Sequence, residues 1–153
     1  MKTLLVEDDE DKRQQLASFI KAQLLSDVIE ARSLQSGLKA LLVNDYDLII
    51  LDMSMTTFDI SPAENENGGR PQPFGGREIL LQMKRRRIAT RAVVVTQYDK
   101  FGQGDEETSL KELDKQLHDA FPQTYIGAVE YNVGYTGWQD QLIHLLQKSQ
   151  LIS

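Results

Sequence analysis

Short apolar runs alternate along this chain with stretches of helical period, and few folds accommodate that order. The runs are Thr3 to Val6, Val28 to Ala31, Leu48 to Leu51, Ala92 to Val95 and Tyr125 to Val129. Most are continuously apolar, as strands covered on both faces are. Between them, Leu16, Phe19, Ile20 and Leu24 recur at i, i+3, i+4 and i+8, and Leu34, Leu38, Leu41 and Leu42 keep the same helical period behind a candidate Ser33 cap. Ile79, Leu80 and Met83 make a third stripe. Leu110, Leu113, Leu117 and Phe121 make a fourth, stopped by Pro122, and Trp138, Leu142, Leu145 and Leu146 a fifth after Gly137. The order βαβαβαβαβα, with right-handed crossovers, predicts an α/β fold: a doubly wound five-stranded parallel sheet with helices on both faces. Such sheets hold their sites at the carboxyl ends of the strands.

Two stretches break the rhythm. Thr56 to Gly76 is rich in Pro, Gly and Asn and reads as a long loop, with Gly75-Gly76 as punctuation before a helix; Asp99 to Ser109 is an extended Gly-Asp-Glu segment. Loops of this length inside a domain are usually functional or disordered. With 153 residues, 41% apolar content and neither a repeat nor a second core, residues 1–153 are expected to form one domain. The absence of cysteine excludes disulfides, cysteine zinc sites, iron–sulfur clusters and thiol nucleophiles. A formal charge of −6 has the wrong sign for direct nucleic-acid binding and favours protein or cation partners. No apolar run approaches the ~20 residues of a membrane span, and Met1-Lys2-Thr3 leads into acidic residues instead of a signal peptide. A cytoplasmic protein without membrane contact is expected.

The first strand is followed by Glu7-Asp8-Asp9-Glu10-Asp11 and the third by Asp52. If these strands are neighbours, their carboxylates meet at one sheet edge. Two unit charges ~4 Å apart repel by about 4 kcal/mol at an effective dielectric near 20, so the cluster demands a cation. An all-oxygen ligand set suits Mg²⁺. Thr96, after the fourth strand, places a hydroxyl at the same edge, able to donate to a bound oxyanion.

Three blocks, Leu4-Leu5-Val6-Glu7-Asp8-Asp9, Asp47-Leu48-Ile49-Ile50-Leu51-Asp52-Met53-Ser54-Met55 and Val93-Val94-Val95-Thr96, resemble signature blocks of the response-regulator receiver domain. The resemblance implies the receiver (flavodoxin-like) fold and a two-component phosphoprotein. A histidine kinase or phosphotransfer protein would pass a phosphoryl group to Asp52 in a Mg²⁺-dependent step. It further implies that Glu7, Asp8, Asp52 and the backbone carbonyl of Ser54 hold the metal, Asp8 more directly than Glu7, and that Thr96 is the switch hydroxyl. Phosphoryl transfer needs an in-line nucleophile and positive charge on the transferring oxygens more than covalent help, which this set supplies. A phosphorylated Asp52 would draw Thr96 inward and shift the following loop.

The chain departs from the family in its fourth block. Receivers carry a Lys, normally before Pro, after the fifth strand; here the stretch reads Ala128-Val129-Glu130-Tyr131-Asn132-Val133-Gly134, and no Lys or Arg stands from Ala128 through Gln147. Losing that cation weakens charge stabilisation at a phosphoryl site. Lys100, four residues beyond Thr96, is the nearest substitute by sequence. Thr56 replaces the usual Pro, and Gln97 replaces the usual small residue after the switch hydroxyl, which implies altered access to the site and an altered phospho-Asp52 lifetime. Tyr125 and Tyr131 are both candidates for the aromatic that receivers hold on the fifth strand. The two long segments alter the approaches to the fourth-helix, fifth-strand and fifth-helix face, the usual partner or homodimer surface.

Blander readings compete with several of these features. The acidic run also suits a solvated helix start favoured by the macrodipole. Lys84-Arg85-Arg86-Arg87 with Arg91 reads as a solvated helix end sooner than a nucleic-acid patch. His118 and His144 lack companion ligands. The leading function is a stand-alone receiver, not an enzyme beyond its own phosphorylation and dephosphorylation, which signals by protein contact to a separate output protein because no output domain follows within Met1 to Ser153. A degenerate receiver that binds partners without phosphorylation is the alternative. A haloacid-dehalogenase-like phosphatase fits less well, because Ser54 stands where that motif needs a second Asp.

Overall fold

In the computed structural model, residues 1–59, 74–97, 100–101, 108–132 and 134–153 are described, Lys100 and Phe101 by backbone alone. The five apolar runs form the strands β1 (Lys2–Val6), β2 (Asp27–Ala31), β3 (Leu48–Leu51), β4 (Arg91–Thr96) and β7 (Tyr125–Glu130), all parallel in the order β2-β1-β3-β4-β7. Two short strands, β5 (Lys100–Phe101) and β6 (Thr108–Ser109), pair antiparallel outside this sheet. The expected extended segment thus includes the paired ends of a hairpin; residues 102–107 lie outside the described residues.

The helices are α1 (Glu10–Gln23), α2 (Leu34–Val43), α3 (Gly75–Arg85), α4 (Leu110–Ala120) and α5 (Gly137–Lys148). Strand side chains alternate between faces. Leu4, Val6, Ile49, Leu51, Ala92 and Val94 pack with the apolar stripes of α2, α3 and α4. Leu5, Leu48, Ile50, Val93 and Val95 pack with Leu16, Phe19 and Ile20 of α1 and Trp138, Leu142 and Leu146 of α5. The central strands β1, β3 and β4 are therefore apolar on both sides, and polar residues enter only at their ends. Among the described residues no helix is long and apolar enough to cross a membrane.

Local chemistry starts the helices where the sequence places caps. Asp9 caps α1 by accepting from Lys12 N at 3.0 Å, Ser33 and Ser36 form a capping box on α2, and Ser109 caps α4 by accepting from Glu112 N. The basic run closes α3 with Lys84 and Arg85 in its last turn, and Lys84 Nζ donates to the Ala120 carbonyl, as expected of a solvated helix end.

Gly75 and Gly76, expected in the long loop, instead open α3. Gly76 N donates to the Met53 carbonyl at 2.9 Å, and a Cβ on Gly76 would lie 2.5 Å from the Asp52 carbonyl oxygen and 3.0 Å from Met53 Cα. Only glycine lets the helix start press against the backbone just past β3. Residues 60–73 of that expected loop lie outside the described residues. Gly137, by contrast, faces open space in the first turn of α5. Gly76→Ala is expected to destabilise the protein by about 1–3 kcal/mol and Gly137→Ala to leave it unchanged or slightly stabilised, measured by urea unfolding.

Candidate functional site

The carboxyl ends of β1, β3 and β4 bring the predicted residues to one place. The β1–β3 register pairs Val6 with Leu51, so Glu7 and Asp52 emerge side by side, and Asp52 N donates to the Val6 carbonyl at 3.3 Å. Glu7 N in turn donates to Ala31 O of β2 at 3.0 Å. Both acids turn inward: Glu7 is 1% exposed and Asp52 3%. Thr96, fully buried, ends β4 alongside.

The cation between the carboxylates belongs to the chain itself. Lys12, in the first turn of α1 and 2% exposed, sends Nζ to Asp52 Oδ2 at 2.8 Å, to the Val95 carbonyl at 2.7 Å and to Glu7 Oε1 at 2.5 Å. The first two are hydrogen bonds, and the Glu7 Oε1 contact is an ion pair. Glu7 Oε2 accepts from Asp9 N at 3.0 Å, tying the acid to the cap of the same helix. Arg13, also buried, donates to the Glu7 carbonyl at 3.1 Å and pairs with Glu30 across 3.3 Å, which locks the first turn of α1 over β1 and β2.

Burial and charge oppose one another here. Burial pushes the Glu7 carboxyl upward, Lys12 pulls it back down and Asp52 adds to the rise. Burial also works to strip the proton from Lys12, but Asp52 and Glu7 together outweigh it and hold the ammonium above its ordinary range. The ammonium is thus charged at neutral pH. Removing one partner from such a network leaves an uncompensated buried charge, a loss of typically ~3–5 kcal/mol.

The acidic run divides between its two readings. Asp9, Glu10 and Asp11 serve the helix start, as cap and first-turn acids, while Glu7 enters the site. Asp8 Oδ2 accepts from Thr56 N at 3.0 Å, and Ser54 N reaches Asp52 Oδ1 at 3.4 Å. Among the described residues no three carboxylate or histidine side chains form a group that could hold a metal ion. The counterion that the crowded acids demand is supplied by Lys12. Lys100 lies in β5, and its side chain is outside the described residues.

Lys12 escaped the reading of the sequence, although a signal was present. It stands four residues before Leu16 on the inward stripe of α1, where a lysine is out of place unless an anion meets it. The structure also separates the two candidate tyrosines. Tyr131 sits beside the site, its ring centroid 5.7 Å from Lys12 Nζ and 5.3 Å from that of Trp138. Tyr125 lies at the opposite end of β7 and donates to Asp114 Oδ1 at 2.6 Å. Gln97 is exposed and lines, with Lys12, Phe19, Tyr131 and Gln139, a groove of 730 Å³ between α1 and the β7–α5 edge.

No family model matches the chain. It is 35% identical over 142 residues to the uncharacterized protein y4jR of Sinorhizobium fredii (strain NBRC 101917 / NGR234), covering 91% of this chain and 92% of that one. It is 28% identical over 145 residues to the Detocs response regulatory protein DtcB of Enterobacter cloacae (strain JD6301), covering 94% and 96%. Its fold matches the response regulator TrrA of Thermotoga maritima, solved in complex with Mg²⁺-BeF, at a TM-score of 0.60 with 17% identity over 95% of this chain and 98% of the other. The chemotaxis protein CheY4 of Vibrio cholerae matches at 0.62 with 18% identity, over 96% of each chain. The chain has the fold of the response-regulator receiver domain.

In this receiver fold the stretch after the last strand of the main sheet carries Glu130, Tyr131 and Asn132 and no lysine, and the buried cation at the site comes from α1. The donor set suits Mg²⁺ by type, being hard oxygens from Glu7, Asp8, Asp52 and the backbone. In the geometry observed, two of those carboxylates close on Lys12. The Lys12→Met and Asp52→Asn substitutions are therefore expected to couple by roughly 0.5–3 kcal/mol in a double-mutant cycle of urea unfolding. Additive losses would show that the Nζ–Oδ2 contact is not made.

Proposed function

We propose that this protein is a phospho-receiver whose acceptor is Asp52, charged by a histidine kinase or phosphotransfer protein and read by a separate output protein. The observation that carries the reading is the placement of Asp52: a buried carboxylate at the end of β3, beside Glu7 at the end of β1, with a buried cation on one of its oxygens. A surface aspartate has no use for such an arrangement. The similarity to a Detocs response regulatory protein across nearly the whole length supports the same class of role.

Phosphoryl transfer to a carboxylate is limited by charge: an anionic nucleophile must approach an anionic donor in line. Asp8, Asp52 and the Ser54 carbonyl, with Glu7 behind them, are the residues that would hold Mg²⁺, which supplies positive charge to the transferring oxygens. The chain's own residues do the rest. Glu7 and Asp9 hold the first turn of α1 in place through the Asp9 N–Oε2 bond, and Lys12 fixes the orientation of the Asp52 carboxylate through Oδ2. Thr96, at the end of β4, is the hydroxyl proposed to move toward the phosphoryl group. Its carbonyl already accepts from Tyr131 N at 2.7 Å, so a shift at Thr96 is passed to the end of β7.

A second reading is favoured by one observation, namely that Asp52 already has an internal counterion while no Lys or Arg stands from Ala128 through Gln147. In that reading the domain binds partners without being phosphorylated. The two separate on one experiment. Incubation with acetyl phosphate and Mg²⁺ is expected to add a single phosphoryl group by intact-mass spectrometry, lost in Asp52→Asn and with EDTA. An unlabelled parent protein favours the second reading. Gln97→Ala is expected to shorten the lifetime of the adduct, since trimming the amide opens the groove beside Lys12 to water, and an unchanged decay rate would count against that role.

A further inference from the structure

We infer that Lys12 is the phosphoryl-binding cation of this receiver, acting from the first helix where other members use a lysine after the last sheet strand. The inference rests on Asp52 being the acceptor, and its test is arranged so that the two fail separately.

Three observations carry it. First, Lys12 Nζ already touches the reacting group, 2.8 Å from Asp52 Oδ2. Second, the ammonium is held from the far side by the Val95 carbonyl at 2.7 Å, and so is pinned to the strand that ends in Thr96. Third, its remaining contact is to Glu7 Oε1, on a carboxylate whose other oxygen is held by Asp9 N, so Glu7 stays anchored when the ammonium turns to a new acceptor. From Ala128 through Gln147 the chain offers no other cation near the end of β7.

The step balances without any proton passing through Lys12. An Asp52 carboxylate oxygen attacks the phosphorus of an acyl phosphate, the new O–P bond forms, and the bond from phosphorus to the departing carboxylate oxygen breaks, that oxygen leaving with the electron pair. The site gains negative charge as the carboxylate becomes an acyl phosphate. Lys12 answers by turning an N–H from Glu7 Oε1 to a phosphoryl oxygen while keeping Val95. Because Tyr131 lies 5.7 Å from the ammonium and packs on Trp138, that turn perturbs an aromatic pair at the α5 side of the sheet.

A lysine that merely filled the site makes the opposite prediction: its removal would free Asp52 and speed labelling. Acetyl phosphate labelling with Mg²⁺, followed by intact mass, is expected to be ~10²–10³-fold slower in Lys12→Met than in the parent. Lys12→Arg, which keeps the charge, is expected to recover at least ~10-fold of that loss. Lys21→Met, an exposed lysine on the same helix, labels at the parental rate. A second measurement needs only the parent protein with its lysines ¹⁵N-labelled: the Lys12 ammonium signal, identified by its loss in Lys12→Arg, shifts when beryllium fluoride and Mg²⁺ are added, and Trp138 fluorescence changes with it. Parental or faster labelling in Lys12→Met overturns the inference, as does an ammonium signal unmoved by beryllium fluoride in a protein that is labelled on Asp52. If Lys12→Met does not fold, the ammonium shift decides. A parent that is neither labelled nor perturbed by beryllium fluoride overturns the acceptor reading, and the role of Lys12 with it.

Discussion

A lysine ammonium enclosed between two carboxylates holds the functional edge of this protein together. Glu7 and Asp52 stand side by side because their strands are neighbours in register, and two buried anions that close repel by kcal/mol amounts unless a cation lies between them. Lys12 answers that demand from the first turn of α1. Several other features follow from its position. Asp9 must cap the helix at that point, Glu7 must turn one oxygen to Asp9 N and the other to Lys12, and Arg13 must brace the Glu7 carbonyl from behind.

The rest of the fold serves this edge by leaving polar chemistry nowhere else to go. β1, β3 and β4 are buried on both faces by two separate layers of helices, so among the described residues these three strands approach solvent at their ends. Gly76 belongs to the same design. Its missing side chain lets α3 start against the Asp52 carbonyl and ties the end of β3 to a helix on the opposite face from α1. Asp52 is therefore linked to α1 through Lys12, to β4 through the Val95 carbonyl that Lys12 also holds, and to α3 through the backbone after β3.

Much of this was readable in advance, for identifiable reasons. The strands were legible because runs such as Leu48 to Leu51 are too short and too uniformly apolar to be anything but covered strands, and they occupy β3 without a residue's difference. Ser33 was legible as a cap because a serine ahead of a leucine stripe has one local task. Glu7 and Asp52 followed from the rule that parallel sheets gather their chemistry at one end. Gly75-Gly76 misled, because glycines beside a Pro-rich stretch look like a turn, and only the close approach to Asp52 O explains why a helix begins there.

Sequence alone determined the order of elements, the layer structure and which acids share an edge, since these depend on hydrophobic period and strand polarity, both local properties of the chain. It could also show that no Lys or Arg stands from Ala128 through Gln147. The cation that meets the buried acids was decided only in three dimensions. Lys12 and Asp52 are 40 residues apart, and which ammonium reaches which carboxylate depends on the rotation of α1 over the sheet and on the depth to which its first turn is packed. Those quantities are set by the whole core at once, and no stretch of the chain encodes them by itself.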